Sequence, residues 1–284
     1  MSEKSNAYII DHESGAEMQR LIDQDKLLNK LMETHFPEGI DPSRLRSVLD
    51  VACGPAAWIL SVAFAHRHIH AVGIDISQAM IEYGRAFARV QKLDNVDLLV
   101  MDALQPLKFA DDSFDFVNSR WLEGFVKKQQ WAELLKEMLR VTAPGGHIRL
   151  TEVLSLETNS TAFNRILALA QEAFKRDGRS QTDEQGNYVN VGARLATFFT
   201  EAGVTVTGEH IYYLDWSWGA EGYQGMVRDF VAMFTLMQPF LIKKMQIVGE
   251  EEYEQLLRAL DIEFYKDDFK GTCVLKSVWG QKPI

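Results

Sequence analysis

Three carboxylates accompany short apolar runs in the first half of the chain. Asp50 lies in the run Ser47–Val51, Asp75 ends a second run, and Asp102 follows a third. Runs of this length and composition are typical of strands in a parallel sheet that is covered on both faces. A carboxylate presents two acceptor oxygens, which suits the paired hydroxyls of a ribose or the amino group of a base. The pattern predicts a nucleotide site at one edge of such a sheet.

The residues after the first run fit the same chemistry. Gly54-Pro55 makes a tight turn, and an apolar helical segment follows from Ala57 to Ala65. A strand, a small-residue turn and a helix let the backbone approach a ligand closely, and the helix N-terminus offers free N–H groups. Asp75 comes about twenty residues after the turn, the distance expected of a ribose-binding carboxylate.

The segment Asp50-Val-Ala52-Cys-Gly54-Pro-Ala56, with its two later strand-end acids, resembles a known family. It is similar to the class I S-adenosylmethionine (SAM)-dependent methyltransferases, in particular the small-molecule branch of ubiquinone and menaquinone type. That family's first motif is an acid followed by three alternating glycines. Alanine replaces two of them here, and its Cβ disfavours positive φ. The resemblance covers residues 45–155 well and the remainder in outline.

The resemblance implies SAM as cofactor and S-adenosylhomocysteine as product. Asp75 is expected to bind both ribose hydroxyls, and Asp102 the adenine amino group. An N-terminal helix within residues 8–36 is expected to close over the methionine end, with Arg20 suited to its carboxylate. The Asn118 carbonyl is expected to bind the ammonium. The predicted cofactor-binding set is Tyr8, Arg20, Gln24, Asp50, Ala52, Gly54, Pro55, Asp75, Ile76, Met80, Asp102, Ala103, Asn118 and Ser119.

The acceptor is expected beside the cofactor, at the carboxyl edge where open α/β sheets bind ligands. Glu152, Asp215 and Trp121 are the predicted catalytic residues, and either carboxylate is a candidate base for an oxygen acceptor. Clustered aromatic rings favour a flat aromatic acceptor or a cation held against ring faces. We expect direct in-line methyl transfer, in a lidded pocket, to an aromatic or amine-bearing small molecule. The predicted substrate pocket contains Arg120, Trp121, Phe125, Trp216 and Trp218.

The order of apolar runs and helical periodicities predicts an α/β fold. We expect a Rossmann-like, seven-stranded mixed sheet with helices on both faces and the last strand antiparallel, inserted beside the fifth. Four segments are predicted: a helical cap (1–44), a SAM-binding core (45–154), a helical lid insertion (155–202) and a C-terminal part of the core with strands six and seven (203–284). Residues 220–244, rich in Met and Phe, suit a core, an apolar wall of the acceptor pocket or a dimer face.

Composition limits the partners. The chain has 284 residues, 46% of them hydrophobic, and a net charge of −10. An acidic surface repels phosphate backbones, so we expect neither nucleic acid nor an anionic membrane as partner. Cys53 and Cys273 are far apart and outside any Cys/His cluster, which argues against a metal site and against disulfides. With no apolar signal core at the N-terminus, we expect a cytoplasmic monomer or homodimer.

Three alternatives were weighed against this interpretation. An NAD-dependent enzyme would need Gly-x-Gly-x-x-Gly where Ala52, Gly54 and Ala57 stand, so SAM is favoured. A SAM-binding fold with a non-methylating role, such as a cyclisation, stays open. A methyltransferase acting on protein or RNA also stays open, although Asn118-Ser-Arg-Trp does not match the Asn/Asp-Pro-Pro-Tyr motif of nucleobase N-methylation. The methylated atom, O, N or C, is undetermined.

Overall fold

A computed structural model describes residues 8–182, 185 and 188–284 of the chain. Within these residues, seven strands form one sheet and two short strands form a separate hairpin. The strands are β1 (Ser47–Val51), β2 (His70–Asp75), β3 (Val96–Val100), β4 (Phe114–Arg120), β5 (Thr142–Thr158), β6 (Gln181–Thr182), β7 (Tyr188–Val189), β8 (Thr205–Asp215) and β9 (Gly271–Gln281).

The sheet has the order β3-β2-β1-β4-β5-β9-β8. Strands β1 to β5 pair in parallel, and β9 pairs antiparallel with both β5 and β8. The predicted seven-stranded mixed sheet, with the last strand antiparallel beside the fifth, is confirmed. The chain reverses its direction of winding between β1 and β4, and open α/β sheets bind ligands at the carboxyl ends beside such a switch point.

Helices cover the sheet and build a further layer at one end. In the described part of the chain they are α1 (Gly15–Met32), α2 (Ala57–Ala65), α3 (Gln78–Val90), α4 (Trp131–Val141), α5 (Thr161–Arg176), α6 (Val191–Glu201), α7 (Tyr223–Leu236) and α8 (Glu250–Phe264). Short 3-10 turns span Pro42–Arg44, Leu122–Gly124 and Lys128–Gln130. Ser77 is the N-cap of α3, because its Oγ accepts the Met80 amide at 3.1 Å.

Alternating residues of β1 supply the two faces of the sheet. Val48 packs with the apolar side chains of α2, whereas Leu49 packs with those of α4 on the opposite face. A separate core lies among α5, α7, α8 and β9, where the rings of Trp216 and Phe230 stand 5.0 Å apart. Thus, the C-terminal helices have an apolar core of their own beside the sheet.

Two segments add detail to the predicted architecture. Within the predicted lid insertion, β6 and β7 pair antiparallel. The apolar region 220–244 is not one continuous α-helix, since α7 ends at Leu236 and a π-helical turn continues over Pro239–Lys244. Proline has no N–H to donate to the preceding turn, which explains the break.

Among the described residues, one helical stretch, Tyr223–Lys244, is long and apolar enough to span a membrane by length and composition. Helices in the buried core of a protein often have the same length and composition. Here α7 packs against α1 and α8, and Phe230 and Phe234 lie in the C-terminal core. The apolar character of this stretch is therefore explained by packing within the chain.

Candidate active site

The turn after β1 has an unusual backbone. Ala52, Gly54 and Ala56 all adopt positive φ, at 57°, 53° and 67°. Glycine enters this region freely, whereas a residue with a Cβ is strained there by about 1–2 kcal/mol. The chain therefore keeps the backbone path of three alternating glycines although two of them are alanine. This strained turn lies between β1 and α2, at the carboxyl edge of the sheet.

Asp75 at the end of β2 is held by two backbone amides. Its Oδ2 accepts a hydrogen bond from Gly54 N at 2.9 Å, and its Oδ1 accepts one from Ser77 N at 2.9 Å. Burial raises the pKa of this carboxyl, and the two N–H groups oppose that shift. The carboxylate is fixed in orientation by the turns after β1 and β2.

Asp50 is the buried end of a hydrogen-bonded chain. Asn118 Nδ2 donates to Asp50 Oδ1 at 2.7 Å, and Arg149 Nε donates to Asn118 Oδ1 at 2.8 Å. Burial raises the pKa of Asp50 to about 7, against the opposing charge of Arg120. Asn118 is fully buried, and its side chain bonds to Asp50 and Arg149 within the sheet. It therefore supports the carboxyl edge of the sheet through these two contacts.

A first cavity opens at the carboxyl ends of β1, β2 and β4, under α1. Of the predicted cofactor-binding residues, those lining it are Tyr8, Gln24, Asp50, Ala52, Gly54, Pro55, Asp75, Ile76, Met80, Asp102 and Ala103. The predicted pocket residues Arg120, Trp121 and Phe125 line it as well. Prediction missed other lining residues, His12, Leu21, Asp25, Leu28, Cys53, Ala57, Met101 and Leu104. Ser119 is buried and donates to the Val51 carbonyl at 2.7 Å, so, like Asn118, it lies outside the lining.

The first cavity contains buried donors in need of acceptors. Arg120 binds Asp25 through Nη2, but its Nη1 meets no hydrogen-bond partner among the described residues. The indole Nε1 of Trp121 is likewise buried and has no hydrogen-bond partner among the described residues. Buried donors without partners are costly, and a bound ligand with acceptor oxygens would satisfy them.

Arg20 does not occupy the position predicted for it. Its Nε and Nη2 donate to Glu17, each at 2.7 Å, and its Nη1 donates to Asp229 at 2.8 Å. This guanidinium joins α1 to α7 in a buried ion pair and lies outside the lining of the first cavity. The structure therefore corrects the prediction that Arg20 binds a ligand carboxylate in the first cavity. Arg120 is the arginine that lines this cavity.

A second cavity lies directly beside the first. Both share the side chains of Tyr8, Leu21, Gln24, Leu28 and Trp121 as a common wall. Trp121 has a φ of 63°, a strained conformation for a bulky residue that is often found at functional sites. Most of the far wall is apolar and comes from α7 and the turn after it, with Met226, Phe230, Met233, Phe234 and Met237.

Three carboxyl groups line the second cavity: Asp229, which is paired with Arg20, and Glu123 and Glu152. Glu152 on β5 is 1% exposed, and its Oε1 accepts the Leu122 amide at 2.5 Å. Glu123 accepts a hydrogen bond from Tyr188 at 3.0 Å. Burial raises the pKa of Glu123 to about 7, and burial together with the nearby Glu123 raises the pKa of Glu152 well above its ordinary value. The predicted pocket residues include the neighbouring Trp121 and Phe125 but not Glu123, and the sequence contains no signal for Tyr188.

Asp215, Trp216 and Trp218 line neither cavity. Trp216 is fully buried in the C-terminal core, Trp218 packs on Tyr223 at 5.0 Å, and Asp215 accepts the Ser217 amide at 2.9 Å. The expectation that these three residues join Trp121 is corrected for this reason, although Leu214 of the same strand β8 lines the second cavity.

Comparison with known proteins identifies the family. A family model described as "Methyltransferase domain" matches residues 48–146. A demethylmenaquinone methyltransferase from Halalkalibacterium halodurans is 32% identical over 174 residues, which cover 56% of this chain and 68% of that protein. The chain is a class I SAM-dependent methyltransferase. The assignment explains the strand-end acids and the turn between β1 and α2.

Solved structures agree on the fold of this methyltransferase. A protein from Bacillus halodurans C-125 described as a methyltransferase has a TM-score of 0.54 at 19% identity, covering 90% of this chain and 99% of its own. A (4+2)-cyclase has a TM-score of 0.50 at 19% identity, covering 96% and 97%. At this level of identity the likeness concerns the Rossmann-like architecture alone.

The first cavity of the methyltransferase fits SAM. The cofactor carries a carboxylate, a ribose diol and an adenine, and the cavity contains a guanidinium with a free buried donor and two strand-end carboxylates. When bound, SAM supplies an electrophilic methyl group on a sulfonium sulfur. Among the described residues, no group of three or more His, Cys, Asp or Glu side chains is arranged to hold a metal ion.

Proposed function

We propose that this enzyme transfers the methyl group of SAM, held in the first cavity, to a largely apolar small molecule held in the second. The observation that carries the proposal is the wall shared by the two cavities, which includes Trp121. Neighbouring pockets with a common wall can hold two reactants side by side and shield them from water, which is what in-line transfer requires.

For the cofactor, we propose that Asp75 binds the ribose and that Asp102 binds the adenine amino group. Ile76, Met80 and Ala103 form the surface against the adenine ring. Support comes from their common position in the first cavity. Arg120 takes the role first expected of Arg20 and binds the methionine carboxylate, because its Nη1 is the buried donor in need of an acceptor.

The lining of the second cavity selects against anionic acceptors. Its cation, Arg20, is already paired with Glu17 and Asp229. Ionised Glu123 would repel a further negative charge, and the Met and Phe side chains of α7 favour apolar surface. The demethylmenaquinone methyltransferases among its relatives are named for an apolar acceptor of this kind. We propose an uncharged, apolar acceptor, with O-, N- and C-methylation all chemically open.

Two segments close the site in this proposal. Residues of α1 contribute to both cavities, and residues 155–202 contribute Leu156, Leu167, Phe174, Tyr188 and Asn190 to the second. We therefore propose that residues 1–44 act as a cap and residues 155–202 as a lid over the core, which comprises residues 45–154 and 203–284. Free thiols at Cys53 and Cys273 support a cytoplasmic location.

The decisive experiment uses tritiated SAM with a panel of acceptors. The panel contains a short-chain demethylmenaquinol kept reduced, an apolar phenol, an apolar amine and the anion phosphoethanolamine. We expect label to be transferred to at least one apolar compound and not to the anion. Methylation of phosphoethanolamine alone would overturn the acceptor assignment. Binding of a nicotinamide dinucleotide without binding of SAM in calorimetry would overturn the cofactor assignment.

A further inference from the structure

The wall of the second cavity contains a chain of three side chains that the sequence did not reveal. Tyr188 Oη lies 3.0 Å from Glu123 Oε1 and 3.0 Å from Asn190 Oδ1. The Asn190 amide is oriented by its Nδ2, which donates to the Leu154 carbonyl at 3.0 Å. Its Oδ1 is therefore the atom that faces Tyr188, and it can only accept a hydrogen bond.

A count of protons decides what this chain can do. Tyr188 has one hydroxyl proton but two acceptor oxygens at hydrogen-bond distance. Both contacts are satisfied when Glu123 carries a proton and donates to Tyr188 Oη while Tyr188 donates to Asn190. When Glu123 is ionised, the hydroxyl of Tyr188 turns to its carboxylate. The arrangement accommodates a proton on Glu123 and also stabilises the carboxylate after its loss.

Glu152, the base predicted from sequence, is engaged elsewhere. Its Oε1 accepts the Leu122 amide at 2.5 Å, at the start of the 3-10 turn Leu122–Gly124 that carries Glu123. It is 1% exposed, whereas Glu123 is only half-buried and lines the cavity. Glu152 therefore positions the turn, and Glu123 is the carboxyl that it presents to the acceptor.

We propose that Glu123 takes the proton of a hydroxyl-bearing apolar acceptor during methyl transfer, with Tyr188 and Asn190 as positioning residues. This inference rests on the proposed function. The acceptor O–H bond breaks, its proton passes to Glu123 and its electron pair stays with the acceptor. A bond forms between the acceptor and the methyl carbon as the carbon–sulfur bond breaks with its electron pair left on sulfur. The acceptor leaves neutral, and the positive charge of the sulfonium is cancelled by the loss of the carboxylate's negative charge.

The charged groups around Glu123 are compatible with this role. Glu152 faces it from β5 and Tyr188 from β7. Arg179, beyond α5, donates to the Gly124 carbonyl at 2.9 Å and to Asp177 at 2.7 Å, so its charge is matched by that carboxylate. Burial raises the pKa of Glu123 to about 7, against the hydrogen bond from Tyr188. Both protonation states are therefore populated near neutral pH, as proton transfer requires.

The first test observes the proton directly and needs no acceptor. The protein is labelled with carbon-13 at the glutamate carboxyls, and their resonances are followed by NMR between pH 4 and pH 9. We expect one carboxyl to titrate near neutrality, to disappear in E123Q and to titrate at higher pH in Y188F, which loses the hydrogen bond to the carboxylate. Tyr265→Phe, at an exposed tyrosine, is the matched control. Titration of Glu123 at the ordinary value of about 4.3 would overturn the proposal.

The second test follows turnover with tritiated SAM and a reduced short-chain demethylmenaquinol. In the native enzyme, we expect kcat to rise with pH up to about neutrality. In E123Q, we expect kcat to be lower by about 10²–10⁴-fold and to lose this rise with pH. In Y188F, the rise should occur at higher pH. Glu133→Gln, an exposed carboxyl on α4, is the control. If E123Q keeps the native pH profile and rate, the proposed role of Glu123 is wrong. SAM binding is measured on the same samples, because loss of SAM binding would instead contradict the proposed function.

Discussion

Gly54 N donates to Asp75 Oδ2 at 2.9 Å, so the turn after β1 and the carboxylate after β2 are a single bonded unit. The second oxygen of Asp75 is held by Ser77 N at the same distance. Both oxygens are thus oriented before any ligand arrives. A pre-oriented carboxylate loses less entropy on binding a diol than a mobile one.

Replacing Asp75 by Ala should weaken SAM binding by about 1–3 kcal/mol, because charge-assisted hydrogen bonds to the ribose are lost. Isothermal titration calorimetry with SAM measures the change. Asp94→Ala, at an exposed acid before β3, is the matched control and should bind like the native protein. If the Asp75 variant binds SAM with native affinity, Asp75 does not contribute to cofactor binding.

Replacing Ala52 by Gly should stabilise the fold. Ala52 has a φ of 57°, which costs a residue with a Cβ about 1–2 kcal/mol, while glycine adds back about 0.5–1 kcal/mol of unfolded-state entropy. We expect a net gain of about 0.5–1 kcal/mol in the free energy of unfolding in urea. Ala132→Gly, exposed on α4 with ordinary helical geometry, should instead lose about 1 kcal/mol. Equal losses in both variants would show that the turn is not strained.

Replacing Asp229 by Ala should destabilise the fold. Its carboxylate pairs with Arg20 at 2.8 Å in the interior, and its removal leaves Arg20 Nη1 buried without that partner while Glu17 still compensates the charge, at about 1–3 kcal/mol. Glu221→Ala breaks the exposed pair with Lys30 and should cost at most about 1 kcal/mol. Urea unfolding compares the two. A small effect at Asp229 would mean that α1 is held to α7 by apolar contact alone.

The raised pKa of Glu123 predicts how stability depends on pH. Its pKa moves from 4.5 to about 7 on folding, so the folded state binds more protons between these values. The contribution of Glu123 to stability therefore falls as pH rises through this window, by about 1.4 kcal/mol per pH unit. The difference in unfolding free energy between native protein and E123Q should decrease from pH 5 to pH 7 and then level. A constant difference would place the pKa at its ordinary value.

Sequence reasoning succeeded where the signal is local. The apolar runs around Asp50 and Asp75 and the turn between β1 and α2 indicate a Rossmann-like sheet, and the predicted seven-stranded mixed sheet is confirmed. It did not succeed where partners are distant in sequence. Arg20 and Asp229 are 209 residues apart, so their ion pair was invisible, and Arg20 was expected at a ligand. Trp216 likewise follows a strand end as predicted, but the sheet order places it in the C-terminal core.

The two cavities draw on different portions of the chain. Every described residue that lines the first lies between Tyr8 and Phe125, whereas the second extends to Cys273 and Leu275 on β9. Under the proposed assignment of cofactor and acceptor, substitutions in the C-terminal half of the chain would therefore change acceptor preference while the nucleotide pocket stays intact.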